Sequence, residues 1–145
     1  HPLESLATAL TQDDPSVTKT ATLMDDLTRD SRSLHLFAKR KLGPGSNTKL
    51  LLVVDQFEEV FALCRSEEER GSFIGNLLTA AAEADGPVMV LIAIRADFYA
   101  HCANYVSLRE ALGANQEYIG AMNDDELRRA IEEPAQRGRH PLVFQ

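Results

Sequence analysis

The sequence predicts an α/β fold built on a mostly parallel sheet. Two predicted strands, residues 49–55 and 88–95, each contain a continuous apolar run long enough for a strand buried on both faces, and both end abruptly in charge. Segments with helical periodicity precede, separate and follow these runs. Strands that alternate with helices are typical of parallel sheets with helices packed on each side.

Three helices are predicted before the first strand. Residues 3–10 carry leucines at helical spacing, and residues 16–29 repeat apolar positions with the same period. Residues 31–41 suit a third helix, whose last turn is cationic, as the helix dipole favours. A Gly- and Pro-containing loop over residues 43–47 then leads into the first strand.

A long helix is predicted between the two apolar runs. A short helix over residues 57–64 should follow the first run directly. Ser66 and Glu69 then have the spacing of a capping box, so the long helix should begin at Glu67. Its buried face would carry the apolar residues Phe73, Ile74, Leu77, Leu78 and Ala81.

The region after the second run is predicted to contain two helices and one more strand. Residues 105–112 suit a short helix, and residues 117–120 suit a short third strand. Asn123 and Glu126 form a second capping-box pattern, which predicts a further helix. The buried stripe of that helix would use Leu127, Ala130 and Ile131.

A length of 145 residues corresponds to one domain or to a piece of one. We expect a single partial domain with a helical segment over 1–48, the strands and their helices over 49–121, and the start of another helical part over 122–145. The sequence begins at His1 without an initiator Met and ends in the apolar residues LVFQ. These features predict that the chain is a fragment of a longer polypeptide.

Composition argues against several classes of protein. The 15 basic and 22 acidic residues give a net charge of -7, which does not suit a nucleic-acid-binding surface. No apolar stretch approaches the ~20 residues of a membrane span, and no signal segment is present. Cys64 and Cys102 match neither a disulfide framework nor a metal-binding spacing. We therefore expect a cytoplasmic protein with reduced thiols and with no nucleic-acid or membrane partner.

The charged residues that end the two apolar runs are the candidate functional site. Asp55 follows the first run with Glu58 and Glu59 behind it, and Arg95 ends the second. Parallel pairing of the strands would bring these charges to one sheet edge, where open α/β sheets bind ligands. On a helix after the strand, Glu58 and Glu59 cannot both face the site, and the sequence leaves open which of them does.

This set of charges suits phosphate chemistry. An acid after a buried strand can hold Mg²⁺, often through the water shell of the metal. A second acid can orient or polarise the attacking water, and a neighbouring cation can offset charge on a terminal phosphate. The simpler alternative is that charged residues end strands because strands end at the protein surface.

Three motifs together resemble the STAND class of P-loop NTPases. They are DQFEEVF after the first aliphatic run, IRADFYA at the end of the second, and the helix NDDELRRAIEEPA. More narrowly, the chain is similar to the novel-STAND NTPase domain that precedes WD-repeat or other repeat regions in large bacterial proteins. The similarity runs through most of residues 50–135, and HPLESLATAL resembles the upstream helix of that family. The resemblance implies part of a P-loop NTPase parallel-sheet sandwich, with the start of a helical lid over 122–145.

The resemblance also implies roles for the candidate residues. Asp55 corresponds to the Walker B acid on the metal side, which would hold Mg²⁺. Glu58 and Glu59 correspond to the acidic pair that acts on the attacking water, and Arg95 corresponds to the sensor arginine that contacts ATP. Asp97 belongs to the RADF motif, either as a helix cap or as a functional acid.

The position of residues 119–122, IGAM, corresponds to a Gly-x-Pro contact with adenine in relatives of this class. Ala121 stands where that proline is expected.

The phosphate-binding motif G-x-x-x-x-G-K-[ST] does not occur in this sequence. GPGSNTK, residues 43–49, has the wrong spacing and precedes a strand instead of following one. In the family the phosphate loop and the central strand lie upstream of the HPLE segment. We therefore expect Mg²⁺ and ATP to bind the parent protein, a slow ATPase, and neither to bind this inactive fragment.

The resemblance implies that the parent is an ATP-dependent signalling switch. Its expected partners are the rest of its own polypeptide, with the phosphate-loop segment and a repeat region, and other proteins that bind the parent. An unpaired edge on the 88–95 strand would favour a dimer of the isolated fragment. One alternative is a non-catalytic α/β protein-interaction module. Another is a hydrolase with Asp55 and Glu58 as an acid–base pair, for which the sequence supplies no nucleophile.

Overall fold

The computed structural model describes residues 1–14, 16–83 and 85–137, and it divides the chain into two compact units. The first unit, His1–Ala114, contains both strands of the described residues and most of the helices. The second unit, Asn115–Gln145, contains one helix within its described part. The apolar LVFQ end singled out in the sequence lies outside the described residues.

The N-terminal part of the first unit consists of three helices, as predicted. They are α1 (Pro2–Leu10), α2 (Val17–Arg29) and α3 (Ser33–Leu42). The periodic leucines of α1 are buried, because their spacing places them on one face of the helix. The buried leucines of the three helices are Leu3, Leu6, Leu10, Leu23, Leu27 and Leu34.

The two predicted strands form and pair in parallel. Strand β1 (Leu50–Val54) lies beside strand β2 (Val88–Ile92), with Leu50 opposite Val88 and Val54 opposite Ile92. Helices α4 (Glu59–Ala62) and α5 (Glu67–Ala82) connect them. A parallel pair requires such a crossover connection, so the αα segment between the strands determines the direction of β2.

Helix α5 lies at the centre of the first unit and contacts α1, α2, α3 and β2. It begins at Glu67 as predicted, because the Ser66 Oγ accepts a hydrogen bond from the Glu69 amide at 3.1 Å. The predicted Phe73, Ile74 and Leu77 are buried, whereas Leu78 is half-buried and Ala81 is exposed. Ala80 and the polar Asn76 are buried instead.

The sheet is covered on one face only within the described residues. Leu50, Leu52, Val54, Val90 and Ile92 pack against the buried core. Since side chains alternate along a strand, their neighbours point to the opposite face. These neighbours, Leu51, Val53, Met89 and Leu91, are 55–57% exposed. The expectation that both faces are buried is therefore wrong for this chain, and the P-loop sandwich remains a prediction.

After β2 the chain forms a 3₁₀ turn (Ala96–Phe98), α6 (Tyr99–Cys102) and α7 (Val106–Ala114). Helix α7 confirms the helix predicted over residues 105–112. The predicted third strand is wrong, because residues 117–120 have no regular structure. A segment gains no ladder hydrogen bonds without a neighbouring strand, so its composition is not sufficient to make it a strand.

The second unit contains α8 (Asp124–Arg137), which starts with the predicted capping box. The Asn123 Oδ1 accepts from the Glu126 amide at 2.9 Å, and the Glu126 Oε2 accepts from the Asn123 amide at 2.9 Å. The predicted buried stripe is wrong: Leu127, Ala130 and Ile131 are all exposed. The described part of this unit holds no second element to cover the stripe, and the assignment of α8 to a lid remains a prediction.

None of the helices in the described ranges is both long enough and apolar enough to cross a membrane.

Candidate functional site

The turn after β1 lies directly beside the residues that follow β2. The Ala93 amide donates to the Val54 carbonyl at 2.9 Å, and the Phe57 amide donates to the Ala93 carbonyl at 2.9 Å. These two bonds extend the parallel ladder beyond both strands. They place Asp55 and Arg95 at the same edge of the sheet, as parallel pairing predicts.

Residues 55–59, which we call the acidic turn, combine two exposed acids with one buried ring. The Asp55 Oδ1 accepts a hydrogen bond from the Gln56 amide at 2.9 Å, and Gln56 adopts a left-handed φ of 53°. This sharp change of direction turns Phe57 into the core, where it is fully buried. Asp55 and Glu59 remain exposed on the outside of the turn.

Phe57 anchors the acidic turn through two other aromatic rings. Its centroid lies 5.6 Å from that of Phe61 in an edge-to-face arrangement and 6.4 Å from that of Phe73 in a stacked one. Phe61 belongs to α4 and Phe73 to α5, so one ring joins the turn to both helices. Burial of this side chain determines where the neighbouring carboxylates lie.

Glu58 and Glu59 have different surroundings, as the sequence predicts for adjacent helical residues. Glu58 is half-buried, and its Oε2 accepts from the backbone amide of Arg95 at 3.4 Å. Glu59 is exposed at the first position of α4. Glu58 is thus the member of the pair that contacts the end of β2.

The guanidinium of Arg95 forms a two-point ion pair with Asp97. Its Nε lies 3.1 Å from Asp97 Oδ1 and its Nη2 lies 2.9 Å from Oδ2. The hydrogen bond from Arg95 lowers the pKa of the Asp97 carboxyl, and the same bond raises the pKa of the Arg95 guanidinium. The two side chains are 68% and 58% exposed, and exposed pairs of this kind contribute little to stability. The Arg95 guanidinium therefore lies accessible at the surface of this edge, paired with Asp97.

This edge suits a magnesium ion that arrives with a phosphate ligand. Mg²⁺ usually takes one or two protein carboxylates and completes its octahedral shell with water and phosphate oxygens. Asp55 offers an exposed carboxylate for that purpose. Across residues 1–14, 16–83 and 85–137, no three His, Cys, Asp or Glu side chains are grouped so that they could hold a metal alone.

The IGAM segment contributes to a groove within the second unit. This groove has a volume of about 800 Å³ and lies between residues 119–122 and one side of α8. Glu133 is at its rim and pairs with Arg129 at 3.0 Å and with Arg137 at 3.1 Å. Ala121 and Met122 both line the groove, and the segment contains no proline.

Arg70 belongs to none of the sequence motifs, yet it contacts the chain just after the acidic turn. Its side chain is only 16% exposed, and it donates to the backbone carbonyl of Val60 at 2.9 Å. One signal was present in the sequence. Arg70 precedes Phe73 by three residues and Leu77 by seven, so it occupies the same helical stripe as the buried apolar residues.

Comparison with known proteins agrees with these motifs. The sequence profile of the family described as Novel STAND NTPase 1 matches residues 1–142, which is nearly the whole chain. Searches of curated proteins and of solved structures returned no significant match. The family match includes the acidic turn, the arginine after β2 and the capped helix α8. The chain therefore belongs to the Novel STAND NTPase 1 family of NTPase domains.

Proposed function

We propose that this chain supplies part of the nucleotide site of an ATP-dependent signalling switch in a larger, cytoplasmic, bacterial multidomain protein, of the kind that carries WD or other repeats. One observation carries the proposal. The half-buried carboxylate of Glu58 contacts the Arg95 amide at the edge where β1 ends in Asp55. Asp55, Glu58 and Arg95 all follow the carboxyl ends of β1 and β2, at the edge where parallel α/β sheets bind their ligands.

Each of these residues has a distinct role in the proposal. Asp55 holds Mg²⁺, which when bound neutralises charge on the phosphates. Glu58 orients the attacking water, because its carboxylate lies 3.4 Å from the Arg95 amide, beside the end of β2. Glu59 lies at the exposed start of α4 and supports the negative field of the turn. Arg95 releases Asp97 and offers its guanidinium to the terminal phosphate.

The proposal assigns the remaining parts of the site to polypeptide outside this chain. The phosphate loop and the strand that carries it would pair with the open edge of β2, and flanking helices would cover Leu51, Val53, Met89 and Leu91. The parent would then be a slow ATPase in which exchange of ADP for ATP shifts the balance between two packed arrangements. This chain alone would bind Mg-ATP weakly or not at all and would not turn it over.

Turnover by the NTPase domain that includes the phosphate loop tests these roles. Asp55→Ala and Arg95→Ala are each expected to lower kcat by about a hundredfold or more, because each removes a charge that stabilises the transferred phosphate. Asp25→Ala and Arg29→Ala, at exposed positions of α2, remove the same charges away from the site and should leave turnover unchanged. Equal turnover in Asp55→Ala, Arg95→Ala and the parent would rule out the assignment.

A second candidate function is a non-catalytic α/β protein-interaction module. The bare apolar sheet face favours it, because exposed apolar patches often mark interaction sites. Isothermal titration of the longer domain with Mg-ATP distinguishes the two functions. The switch requires binding that is lost in Asp55→Ala, whereas the module requires none.

The same bare face and open strand edges predict self-association of the isolated chain. Among the described residues, each strand of the two-stranded sheet has one edge without a partner strand, and such edges pair readily with another chain. We expect size-exclusion chromatography with light scattering to give a dimer. Val53→Lys and Leu91→Lys together, which place charge on the exposed face, should shift the chain towards monomer. A stable monomer with cooperative unfolding in the unsubstituted chain would contradict this prediction.

A further inference from the structure

Arg70 projects from the second turn of α5 toward the end of α4. Besides the bond to Val60, its Nη2 donates to the backbone carbonyl of Cys64. One planar guanidinium therefore binds two main-chain oxygens four residues apart. This fork geometry is specific to arginine, because a lysine ammonium is a single point charge.

These two carbonyls lack the partners that a longer helix would give them. Helix α4 contains only the four residues Glu59–Ala62. The last carbonyls of a helix have no following turn whose amides could donate to them. The amide of Leu63, just after α4, already donates to the Glu59 carbonyl at 2.8 Å. Arg70 supplies the donor for Val60 that a further helical turn would otherwise provide. The cation also has the favourable sign for a helix C-terminus.

The same guanidinium contacts the segment that follows β2. Its Nη1 lies 3.5 Å from the hydroxyl of Tyr105, which joins α6 to α7. That hydroxyl donates to Glu67 Oε1 at 2.7 Å, and Glu67 pairs with Arg70. Nearby, the Phe61 ring lies 6.0 Å from the ring of Tyr105. Arg70 therefore contacts both the segment after β1, through Val60 and Cys64, and the segment after β2, through Tyr105.

We propose that Arg70 is a positioning residue that fixes the acidic turn against the end of β2. By holding the Val60 carbonyl of α4 and the Cys64 carbonyl just after that helix, it keeps Glu58 within reach of the Arg95 amide. The catalytic consequence rests on the proposed function, in which Glu58 orients water. The positioning itself depends only on the contacts of Arg70 and is measurable without nucleotide.

Amide hydrogen exchange of the whole chain tests the positioning. Arg70→Met keeps the apolar stem and removes the fork. The local reporters are the amides of Phe61, Leu63 and Arg95, whose acceptors all belong to Glu58 or Glu59. We expect these amides to exchange about tenfold faster or more, relative to the slow amides of α2 and α5.

Arg65→Met removes the same charge from an exposed neighbouring position and should leave the exchange rates of the reporter amides unchanged.

Equal acceleration of all amides would overturn the proposal, because it would mark Arg70 as a contributor to global stability alone. Unchanged local exchange would overturn it as well. Arg70→Lys covers the case in which Arg70→Met does not fold. It should give a smaller local acceleration, since an ammonium serves one carbonyl where the guanidinium serves two, and exchange identical to that of the parent would contradict the fork.

Turnover by the longer domain tests the catalytic consequence separately. Arg70→Met should lower kcat by about tenfold with little change in KM, because misplacement of a catalytic group mainly affects the chemical step. Fast local exchange with parental turnover would overturn the link to catalysis. If Asp55→Ala also had no effect on turnover, the proposed function would fail, and the exchange result would still decide the role of Arg70.

Discussion

Replacing Asn76 by leucine is expected to lower the free energy of unfolding by roughly 2–5 kcal/mol, although leucine has a similar volume. Asn76 is fully buried on α5. Its Oδ1 accepts from the Leu34 amide at 3.1 Å, and its Nδ2 donates to the Leu27 carbonyl at 2.7 Å. One side chain thus serves the last turn of α2 and the first turn of α3.

The size of this effect follows from what leucine would leave behind. The Leu34 amide is in the first turn of α3 and the Leu27 carbonyl is in the last turn of α2, where helices provide no partner of their own. Helix α3 also has no side-chain cap from its own N-cap residue. Leucine would bury both groups without a hydrogen bond, and each such group costs about 1–3 kcal/mol.

Urea denaturation followed by circular dichroism at one fixed protein concentration measures the loss. Asn47→Leu, at an exposed loop position, is the matched control and should change the free energy of unfolding by no more than about 0.5 kcal/mol. Asn76→Asp keeps an acceptor for Leu34 but removes the donor to Leu27 and buries a charge, so it should be at least as damaging. A loss below about 1 kcal/mol in Asn76→Leu would show that the two helix ends find other partners.

Phe57→Ala is expected to lower the free energy of unfolding by about 3–5 kcal/mol, which is the usual range for truncation of a buried phenylalanine. The ring is fully buried between Phe61 and Phe73. Its removal leaves a cavity directly beneath the acidic turn. The variant should therefore lose order at Asp55 and Glu58 as well as stability.

Two measurements separate these effects of Phe57→Ala. Urea denaturation gives the loss of stability, and hydrogen exchange at the Arg95 amide gives the order of the turn. Phe57→Leu fills much of the cavity and should lose less than half as much stability as Phe57→Ala. Parental stability in Phe57→Ala would mean that the neighbouring rings close the cavity, and it would contradict the anchoring role of Phe57.

Much of the fold was predictable because the signals are local. The apolar runs that became β1 and β2, the cap at Ser66 and the reciprocal pair Asn123 and Glu126 each depend on residues close together in the chain. Parallel pairing followed from the crossover between the strands. It placed Asp55 and Arg95 at one edge without any contact being visible in the sequence.

The errors occurred where burial depends on distant partners. The sequence predicts a strand over residues 117–120 and a buried stripe on α8, yet the described residues supply no neighbouring element for either. The pattern of apolar residues shows which side chains a segment could bury. Whether they are buried depends on another element packing against them. The same limit explains why both faces of the sheet were expected to be covered.

The sequence by itself determined the types of most elements, the parallel strand pair, the family motifs and which residues follow the strands at the carboxyl edge. Periodicity, capping chemistry and strand direction act over a few residues, so they can be read along the chain. Only the tertiary structure decided that Glu58 rather than Glu59 contacts the end of β2, and that Asn76 and Arg70 serve backbone groups on other elements. Those contacts depend on the packing of α5, which joins residues far apart in sequence.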